Sequence, residues 1–263
     1  MSTVTVVPTV DSASAPQRVQ LAVTDSGTPA LFATTVTRLD PDGVWRNVRT
    51  TDGNPLTLTT SGSNRVGTLS DYEAPYGTPV KFSTIESPAT QSSPVTVNET
   101  RVWLIDPGVP ALSVPISVAS FGTVTRPVQR GVFHPMGRGY AVVQTDGRRD
   151  APESVVEVRT DTLPELAALR ALLSGAGALL LNVPASLNWG VDTCYVSIGD
   201  VEEARLVDYA AEPKRYVSLP YVVVDMPIGG SQSSRTYADL FAFTTYAALS
   251  AGYGTYTQLL AGP

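Results

Sequence analysis

The sequence predicts a mainly β protein, with two β domains followed by a short helical C-terminal segment. The chain is 43% hydrophobic and only 16% charged, which supplies enough apolar side chains for a folded core. Gly and Pro number 21 each, and Thr, Ser and Val crowd the first half, a composition that favours short strands separated by turns. Turn residues in that half recur about every 8–12 positions, which is typical of a β-sandwich.

We expect residues 1–106 to form an immunoglobulin-like or fibronectin-like β-sandwich. Turn signals separate its runs of β-forming residues, among them Asp40-Pro-Asp-Gly43. This tetrapeptide carries two carboxylates, but it lacks the further ligands and the distal Glu of an EF-hand, so we interpret it as a hairpin turn and not a calcium loop. The expected strands cover residues 18–24, 31–39, 44–50, 56–60, 79–85 and 95–105.

Two aromatic residues are candidates for structural roles in this first domain, Tyr76 in a tyrosine corner and Trp45 in the core. Tyr76 ends Asp71-Tyr-Glu-Ala-Pro-Tyr76, just before an expected strand. This is where a sandwich domain carries its tyrosine corner, in which a Tyr hydroxyl bonds to nearby backbone. Trp45 is a second candidate, although its place beside the Asp-Gly turn also suits an edge strand.

Residues 107–228 are expected to form a second β domain that contains one helix near 163–174. Thr162 and Glu165 fit a capping box at the start of the helix, and Gly175 can end it. Leu166, Leu169 and Leu173 would share the buried face of that helix. The expected strands cover residues 113–119, 140–145, 155–160, 178–183, 193–198, 204–209 and 216–225.

Residues 229–263 are expected to form a docking segment with short helical turns. Three related units begin with Thr-Tyr and end with Leu. In each unit Tyr and Leu are three residues apart, so both would lie on one side of a helical turn. Helices this short are marginal in water, and we expect them to lie on a protein surface of another subunit or of the same chain. The predicted subunit-docking residues are Tyr237, Leu240, Tyr246, Leu249, Tyr256 and Leu259.

The charge and the scarce Cys and His residues argue against several kinds of partner. A net charge of −6 disfavours nucleic acid as a ligand. A single Cys and a single His give no disulfide and no closed Cys-based zinc site, and we expect no metal and no cofactor. The first residues lack the pattern of a signal peptide, and no apolar run reaches the ~20 residues of a membrane span. We therefore expect synthesis in a cytoplasm and no membrane insertion.

The candidate catalytic residues do not form a convincing enzyme site. His134 lacks an identifiable nucleophile and orienting carboxylate, and we interpret it as a loop or core histidine. Cys194 falls in an expected strand, where a buried apolar role is the better interpretation. Paired carboxylates at Glu202 and Glu203 would face opposite sides of a strand, and Asp146 and Asp150 suit a solvated turn. We predict that the protein is not an enzyme.

Four segments together resemble the minor tail proteins of siphophages that infect actinobacteria. They are Asp71-Tyr-Glu-Ala-Pro with Pro79-Val-Lys-Phe82, Trp103-Leu-Ile-Asp-Pro107, Phe133 to Arg148, and the Thr-Tyr-Ala-Asp-Leu terminus. The resemblance implies a structural component of the virion tail tip, with a distal-tail-like second domain. It also implies a symmetric homo-oligomer that contacts other tail proteins. It carries no catalytic residues.

The alternative function is that of a host-surface adhesin. In that case the sandwich would bind a cell-surface glycan through exposed aromatic residues such as Trp103 or Trp189. The Tyr stripe of the C-terminal segment could also stack on a sugar, but its Leu partners favour docking on protein.

Overall fold

The computed structural model confirms the mainly β class, with antiparallel sheets and an α-helix. It describes residues 4–27, 30–50, 53–128, 130–134, 136, 139–145, 150–175, 177–207 and 212–227. The chain divides into two compact units. The first contains the described residues of Met1–Pro115, Leu180–Thr193 and Pro227, and the second those of Ile116–Leu179 and Cys194–Met226. Leu180–Thr193 thus belongs to the first unit, although the sequence assigned it to the second domain.

Two four-stranded antiparallel sheets form most of the first unit. One has the order β1-β2-β8-β7 and the other the order β10-β9-β4-β5, while β3 pairs with β6 and β11 with β16. The first ten strands are β1 (Val4–Asp11), β2 (Arg18–Asp25), β3 (Ala33–Thr34), β4 (Val36–Leu39), β5 (Trp45–Asn47), β6 (Leu56–Thr57), β7 (Thr59–Ser61), β8 (Asn64–Asp71), β9 (Pro79–Thr84) and β10 (Val95–Thr96). The last two strands of this unit are β11 (Val102–Ile105) and β16 (Leu179–Asn182), whose Leu179 falls in the second unit.

Alternation of buried and exposed side chains fixes which face of the first sheet is buried. In β2, Val19, Leu21 and Val23 are buried, while Gln20 and Ala22 between them are exposed. This period of two is what a half-buried strand requires. Pro8 lies in β1, the edge strand, where a residue without an N–H leaves no interior hydrogen bond unmade.

A buried asparagine holds the turn that contains Tyr76. Asn182 Nδ2 donates to the carbonyl of Ala74 (2.9 Å), and Asn182 Oδ1 accepts from the N–H of Tyr76 (3.2 Å). Gly77 follows with φ +78°, and a Cβ there would meet the backbone N of Ala185 at 3.2 Å. The turn thus needs Gly at position 77 both for its backbone conformation and for close packing.

Tyr76, the candidate for the tyrosine corner, is buried in the core of the first unit. Its side chain is buried, and its hydroxyl donates to the carbonyl of Gln17 at 3.4 Å. In an immunoglobulin tyrosine corner the acceptor lies only a few residues upstream, so this long-range bond differs from that arrangement. The other candidate, Trp45, is not in the core. It lies on the edge strand β5 and remains partly exposed.

The second unit is organised around its longest strand, β19. One edge of β19 pairs with β15. The other edge pairs with β18 in the first half of β19 and with β17 in the second half. β12 pairs with the far edge of β15, and β13 and β14 form a separate two-stranded ribbon. The strands are β12 (Val114–Phe121), β13 (Arg130–Phe133), β14 (Val142–Thr145), β15 (Glu153–Thr160), β17 (Cys194–Ile198), β18 (Glu202–Arg205) and β19 (Arg215–Val224).

The predicted helix is confirmed as α1 (Leu163–Gly175). Its capping box is present, because Glu165 N donates to Thr162 Oγ1 and Thr162 N donates to Glu165 Oε2, both at 3.3 Å. Leu166 and Leu169 are buried as expected, but the third fully buried leucine is Leu172, while Leu173 is half-buried. The apolar face is therefore turned slightly from the predicted one.

The segment Leu56–Leu58 packs closely against β8 at Gly67. A Cβ at this position would meet Leu58 Cδ2 at 2.8 Å and the carbonyl oxygen of Thr57 at 3.1 Å. Gly67→Ala should therefore destabilise the protein by about 1–3 kcal/mol through overpacking. The matched control is Gly177→Ala, where a Cβ has nothing within 4 Å and stability should hold or rise slightly. Urea unfolding of both variants checks this, and equal midpoints would contradict it.

A polar groove as the candidate functional site

A groove of about 680 Å³ lies in the first unit, over the outer face of the β1-β2-β8 sheet. Strand register places its floor side chains in cross-strand rows. One row is Val7, Ala22 and Thr68, and the next is Thr9, Gln20 and Ser70. The first row of the floor is therefore mainly apolar, and the second row presents hydroxyl and amide groups.

The groove walls combine prolines with a buried ion pair. Pro55 and Leu56 belong to the segment that crosses the sheet, and Pro107 and Pro110 also contribute lining. A mixture of apolar walls and a few polar groups is usual for a ligand-binding cleft, and the volume lies within the common range of about 300–1,000 Å³.

Arg18 and Tyr72 form the charged end of the groove. The Arg18 guanidinium lies 5.4 Å from the centre of the Tyr72 ring and donates to its hydroxyl. Arg18 Nε also donates to Asp11 Oδ2 at 2.9 Å. This hydrogen bond lowers the pKa of the exposed Asp11 carboxyl. The three residues hold one another in place on the sheet surface.

Arg49 and Glu73 form the buried ion pair of the wall. Arg49 Nε lies 2.7 Å from Glu73 Oε1, and both side chains are more than nine-tenths buried. Arg49 Nη2 also donates to the carbonyl of Pro227 at 2.8 Å. Pro227, the last described residue, is therefore held at the groove wall.

A second ion pair lies beneath the groove and joins the two four-stranded sheets. Arg38 on β4 donates from Nη1 to both oxygens of Asp71 at the end of β8, at 3.0 and 2.8 Å. Burial alone would lower the pKa of Arg38, but the charges of Asp71 and Asp40 outweigh it and raise that pKa. Burial raises the pKa of Asp71, and Arg38 acts in the opposite direction. The 3.0 and 2.8 Å contacts are those of an ion pair, in which each buried charge depends on the other.

The predicted hairpin turn supplies the outer members of this charge network. Gly43 N donates to Asp40 O at 2.9 Å, closing the turn between β4 and β5. Arg46 reaches Asp40 Oδ2 and Asp42 Oδ2, both at 2.7 Å. The hydrogen bond from Arg46 lowers the pKa of Asp42 to about 2. Both carboxylates of the suggested calcium loop are thus engaged by arginine.

The predicted docking residues lie outside the described part of the chain. These are Tyr237, Leu240, Tyr246, Leu249, Tyr256 and Leu259. Asp146, one of the candidate carboxylates, also lies outside it, and its partner Asp150 is exposed.

The remaining candidate catalytic residues are not brought together. His134 is exposed in the loop after β13, so the core interpretation was wrong and the loop interpretation was right. Cys194, at the start of β17, is half-buried, whereas a buried position was expected. Glu202 and Glu203 are consecutive in β18 and so face opposite sides, and Glu203 pairs with Arg170 of α1.

The two tryptophans proposed for sugar binding differ in exposure. Trp103 is buried in β11, so it cannot be an exposed platform, and that prediction was wrong. Trp189, which follows a short 3₁₀ turn at Ala185–Leu187, remains 46% exposed. Within the described residues, no group of three or more His, Cys, Asp or Glu is placed to hold a metal ion. In the same part of the chain, no helix is long and apolar enough to cross a bilayer.

Sequence reasoning did not identify the groove. Its floor consists of Thr, Ser, Gln and Ala at alternate positions of three strands, and β1 and β8 were not predicted as strands. The available signal was weak. Val7 and Ala22 are apolar and would suit a covered sheet face, yet both are exposed and lie opposite one another in the strand register.

The Arg38–Asp71 pair should be a large contributor to stability. Arg38→Met leaves the buried Asp71 carboxyl without its positive partner, which should cost about 3–5 kcal/mol. Adding Asp71→Asn removes the charge and keeps an acceptor for the N–H of Glu73, so the double variant should recover much of the loss. As a control, Arg159→Met breaks an exposed pair and should cost less than about 1 kcal/mol. Urea unfolding measures all three variants, and a double variant as unstable as Arg38→Met would contradict the charge argument.

The exposed Asp42–Arg46 pair gives a prediction for pH dependence. Because the folded-state pKa of Asp42 is lowered from 3.8 to about 2, the pair stabilises the fold above pH 3.8 and loses this effect as pH falls through about 2. Arg46→Gln should return the Asp42 pKa towards 3.8. A carboxyl-carbon NMR titration measures the shift. Arg101→Gln breaks a separate pair with Glu99 and should leave Asp42 unchanged. A low Asp42 pKa that persists in Arg46→Gln would exclude Arg46 as its cause.

Comparison of the sequence with protein-family models and with curated proteins finds no match.

Proposed function

We propose that the protein is a non-enzymatic structural component of a phage virion, located at the tail tip, that assembles with copies of itself and with other tail proteins. The observation that carries this proposal is the exposed apolar surface of the β13–β14 ribbon. The sequence resemblance to minor tail proteins suggests the particular assembly.

The β13–β14 ribbon has an unusual concentration of exposed large apolar side chains. Their exposed fractions range from 42% to 101%. The residues are Val132, Phe133, Met136, Tyr140 and Val142. Single exposed apolar residues are ordinary, but a cluster on one element is typical of an interaction surface.

The ribbon also has little of its own to stabilise it. It is a separate two-stranded sheet, and isolated two-stranded hairpins are at best marginally stable in water. The Phe133 ring lies over Gly131, where a Cβ would approach it to 2.9 Å, yet the side chain is still more than half exposed. Contact with another subunit would bury this ring and stabilise the ribbon at the same time.

A second copy of the chain is the simplest partner for such a surface. Most soluble oligomers are closed symmetric assemblies of identical chains, and repetition multiplies modest contacts. Assembly around the tail axis as a symmetric ring or trimer is therefore part of the proposal. Other tail proteins would bind the predicted docking segment at residues 229–263.

Strand order supports an immunoglobulin-like sandwich in the first unit, which we include in the proposal. With β1, β2, β4, β5, β7, β8, β9 and β10 named A, B, C, C′, D, E, F and G, the sheets are A-B-E-D and G-F-C-C′. This is the immunoglobulin order with one added strand beside C. Sandwich modules of this kind commonly provide rigid supports for binding surfaces. We further propose that the second unit is distal-tail-like.

A host-surface glycan-binding adhesin is the second candidate function. The groove favours it, because Thr9, Gln20, Thr68 and Ser70 present hydroxyl and amide groups on a rigid sheet face. Trp189 provides an exposed aromatic surface, whereas Trp103 is buried. Binding of the isolated chain to a glycan array would favour this alternative.

Two paired variants test the ribbon as a subunit interface. Phe133 and Val142 are cross-strand partners and lie on the same face, so Phe133→Ser with Val142→Ser should convert an oligomer to a monomer by removing the apolar contact surface. The matched control is Val44→Ser with Trp45→Ser, a valine–aromatic pair that is 49% and 40% exposed, against 42% for Val142 and 55% for Phe133 in the ribbon. Sedimentation velocity measures the mass, and circular dichroism confirms folding. A wild-type chain that stays monomeric at every concentration, or equal effects of both variants, would contradict the proposal.

A further inference from the structure

We propose that the groove on the β1-β2-β8 sheet is the binding site for the first Thr-Tyr unit of the chain's own C-terminal segment, residues 236–240. Tyr237 and Leu240 would insert their side chains into the groove, so that the segment is fastened to its own first unit. The units at 245–249 and 255–259 would remain for other subunits.

The chain enters the groove wall at the correct place for this contact. Arg49 lines the groove and donates to the carbonyl of Pro227 at 2.8 Å. The ion pair with Glu73 fixes the Arg49 guanidinium, and both side chains are almost fully buried. Pro227, the last described residue, is therefore held at the wall, and it tethers the segment that we propose for the groove.

The distance along the chain favours the same molecule over a second copy. Tyr237 follows Pro227 by ten residues, which span at most about 33–36 Å when extended. A short tether of this kind gives an effective local concentration in the millimolar range, well above that of a free second chain. Units 245–249 and 255–259 are farther along and gain less from the tether.

The chemistry of the groove matches a Tyr-Leu pair better than it matches a sugar. Val7 is 59% exposed on the floor next to Ala22, and Pro55, Pro107 and Pro110 line the walls. These surfaces gain from an apolar side chain such as Leu240. The hydroxyl and amide groups in the next row suit the phenol of Tyr237, which combines an apolar ring with one polar group.

The charge of the segment also suits the groove. Residues 228–240 contain one basic and one acidic residue, Arg235 and Asp239, and so have no net charge. The charged groups at the groove are already paired, Arg18 with Asp11 and Arg49 with Glu73. A neutral Tyr-Leu unit therefore binds without breaking either ion pair.

This inference is independent of the proposed oligomer, because it concerns a contact within one chain. The ribbon variants change the mass of the assembly, whereas the contact proposed here is measured in the monomer. Failure of one proposal therefore leaves the other standing.

Engineered cysteine pairs in the full-length chain test the contact. With Cys194→Ala as background, Ala22→Cys is placed on the groove floor and Ala238→Cys beside Tyr237. Under mild oxidation this pair should form an intramolecular disulfide roughly tenfold faster than the control pair Val44→Cys with Ala238→Cys, because docking raises the local concentration. Val44 is exposed in the same unit but does not line the groove. Non-reducing electrophoresis and peptide mass measurement identify the bond.

Two further measurements make the outcome decisive. Adding Tyr237→Ser and Leu240→Ser should reduce the rate of the groove pair to that of the control. Mixing chains that carry only Ala22→Cys with chains that carry only Ala238→Cys should give no disulfide-linked dimers. Equal rates for the groove and control pairs would overturn the proposal. Efficient formation of disulfide-linked dimers in the mixture would overturn it in favour of a second copy. Binding of a glycan in the groove, together with a groove-pair disulfide rate no faster than that of the control pair, would overturn it in favour of a sugar.

Discussion

The buried ion pair between Arg38 and Asp71 is the interaction on which the first unit depends. Arg38 lies on β4 and Asp71 ends β8, so one pair of charges fixes the two four-stranded sheets to each other. Both side chains are buried, and burial of each charge is costly without the other. The pair therefore discriminates strongly between the correct register of these strands and any other. Because the sequence contains a single cysteine, no disulfide within the chain provides this constraint.

The same pair also determines the position of the groove wall. Asp71 Oδ1 accepts from the N–H of Glu73 at 2.9 Å, which orients the start of the segment leading to Tyr76. Glu73 then pairs with Arg49, and Arg49 holds Pro227. A chain of charge-assisted hydrogen bonds thus runs from the interior to the point where the C-terminal segment begins. Such bonds are shorter and stronger than neutral ones, so the wall is well ordered before any ligand arrives.

The sequence was informative where local rules decide the structure. The capping box at Thr162 and Glu165 and the turn at Asp40-Pro-Asp-Gly43 depend on residues within a few positions of one another, and both are present. β1 and β8 were missed because Pro8, Asn64 and Gly67 weaken their β pattern. Pairing with β2 on both sides overrides these local preferences, and the close passage of Leu58 explains why position 67 has no side chain.

The burial of aromatic residues was harder to predict for a related reason. Trp103 and Trp45 both lie in strands, but Trp103 is buried where β11 pairs with β16, and Trp45 lies on an edge. Strand order across a sheet decides this difference, and strand order depends on contacts distant in sequence. The groove could not be predicted from the sequence for the same reason. Its residues are unremarkable one by one, and only the register of β1, β2 and β8 brings them to one face.

The two proposed binding surfaces differ in how they are supported, and this bears on what each can do. The groove floor belongs to a four-stranded sheet with a buried face, ion pairs and an apolar core, so it can present a fixed shape. Among the described residues, the β13–β14 ribbon is a sheet of two strands paired only with each other, and it carries exposed apolar side chains. A rigid groove suits a lasting contact, such as that with a tethered segment of the same chain. A weakly supported ribbon suits a contact that forms during assembly, because burial in the interface then supplies the stability that the free ribbon lacks.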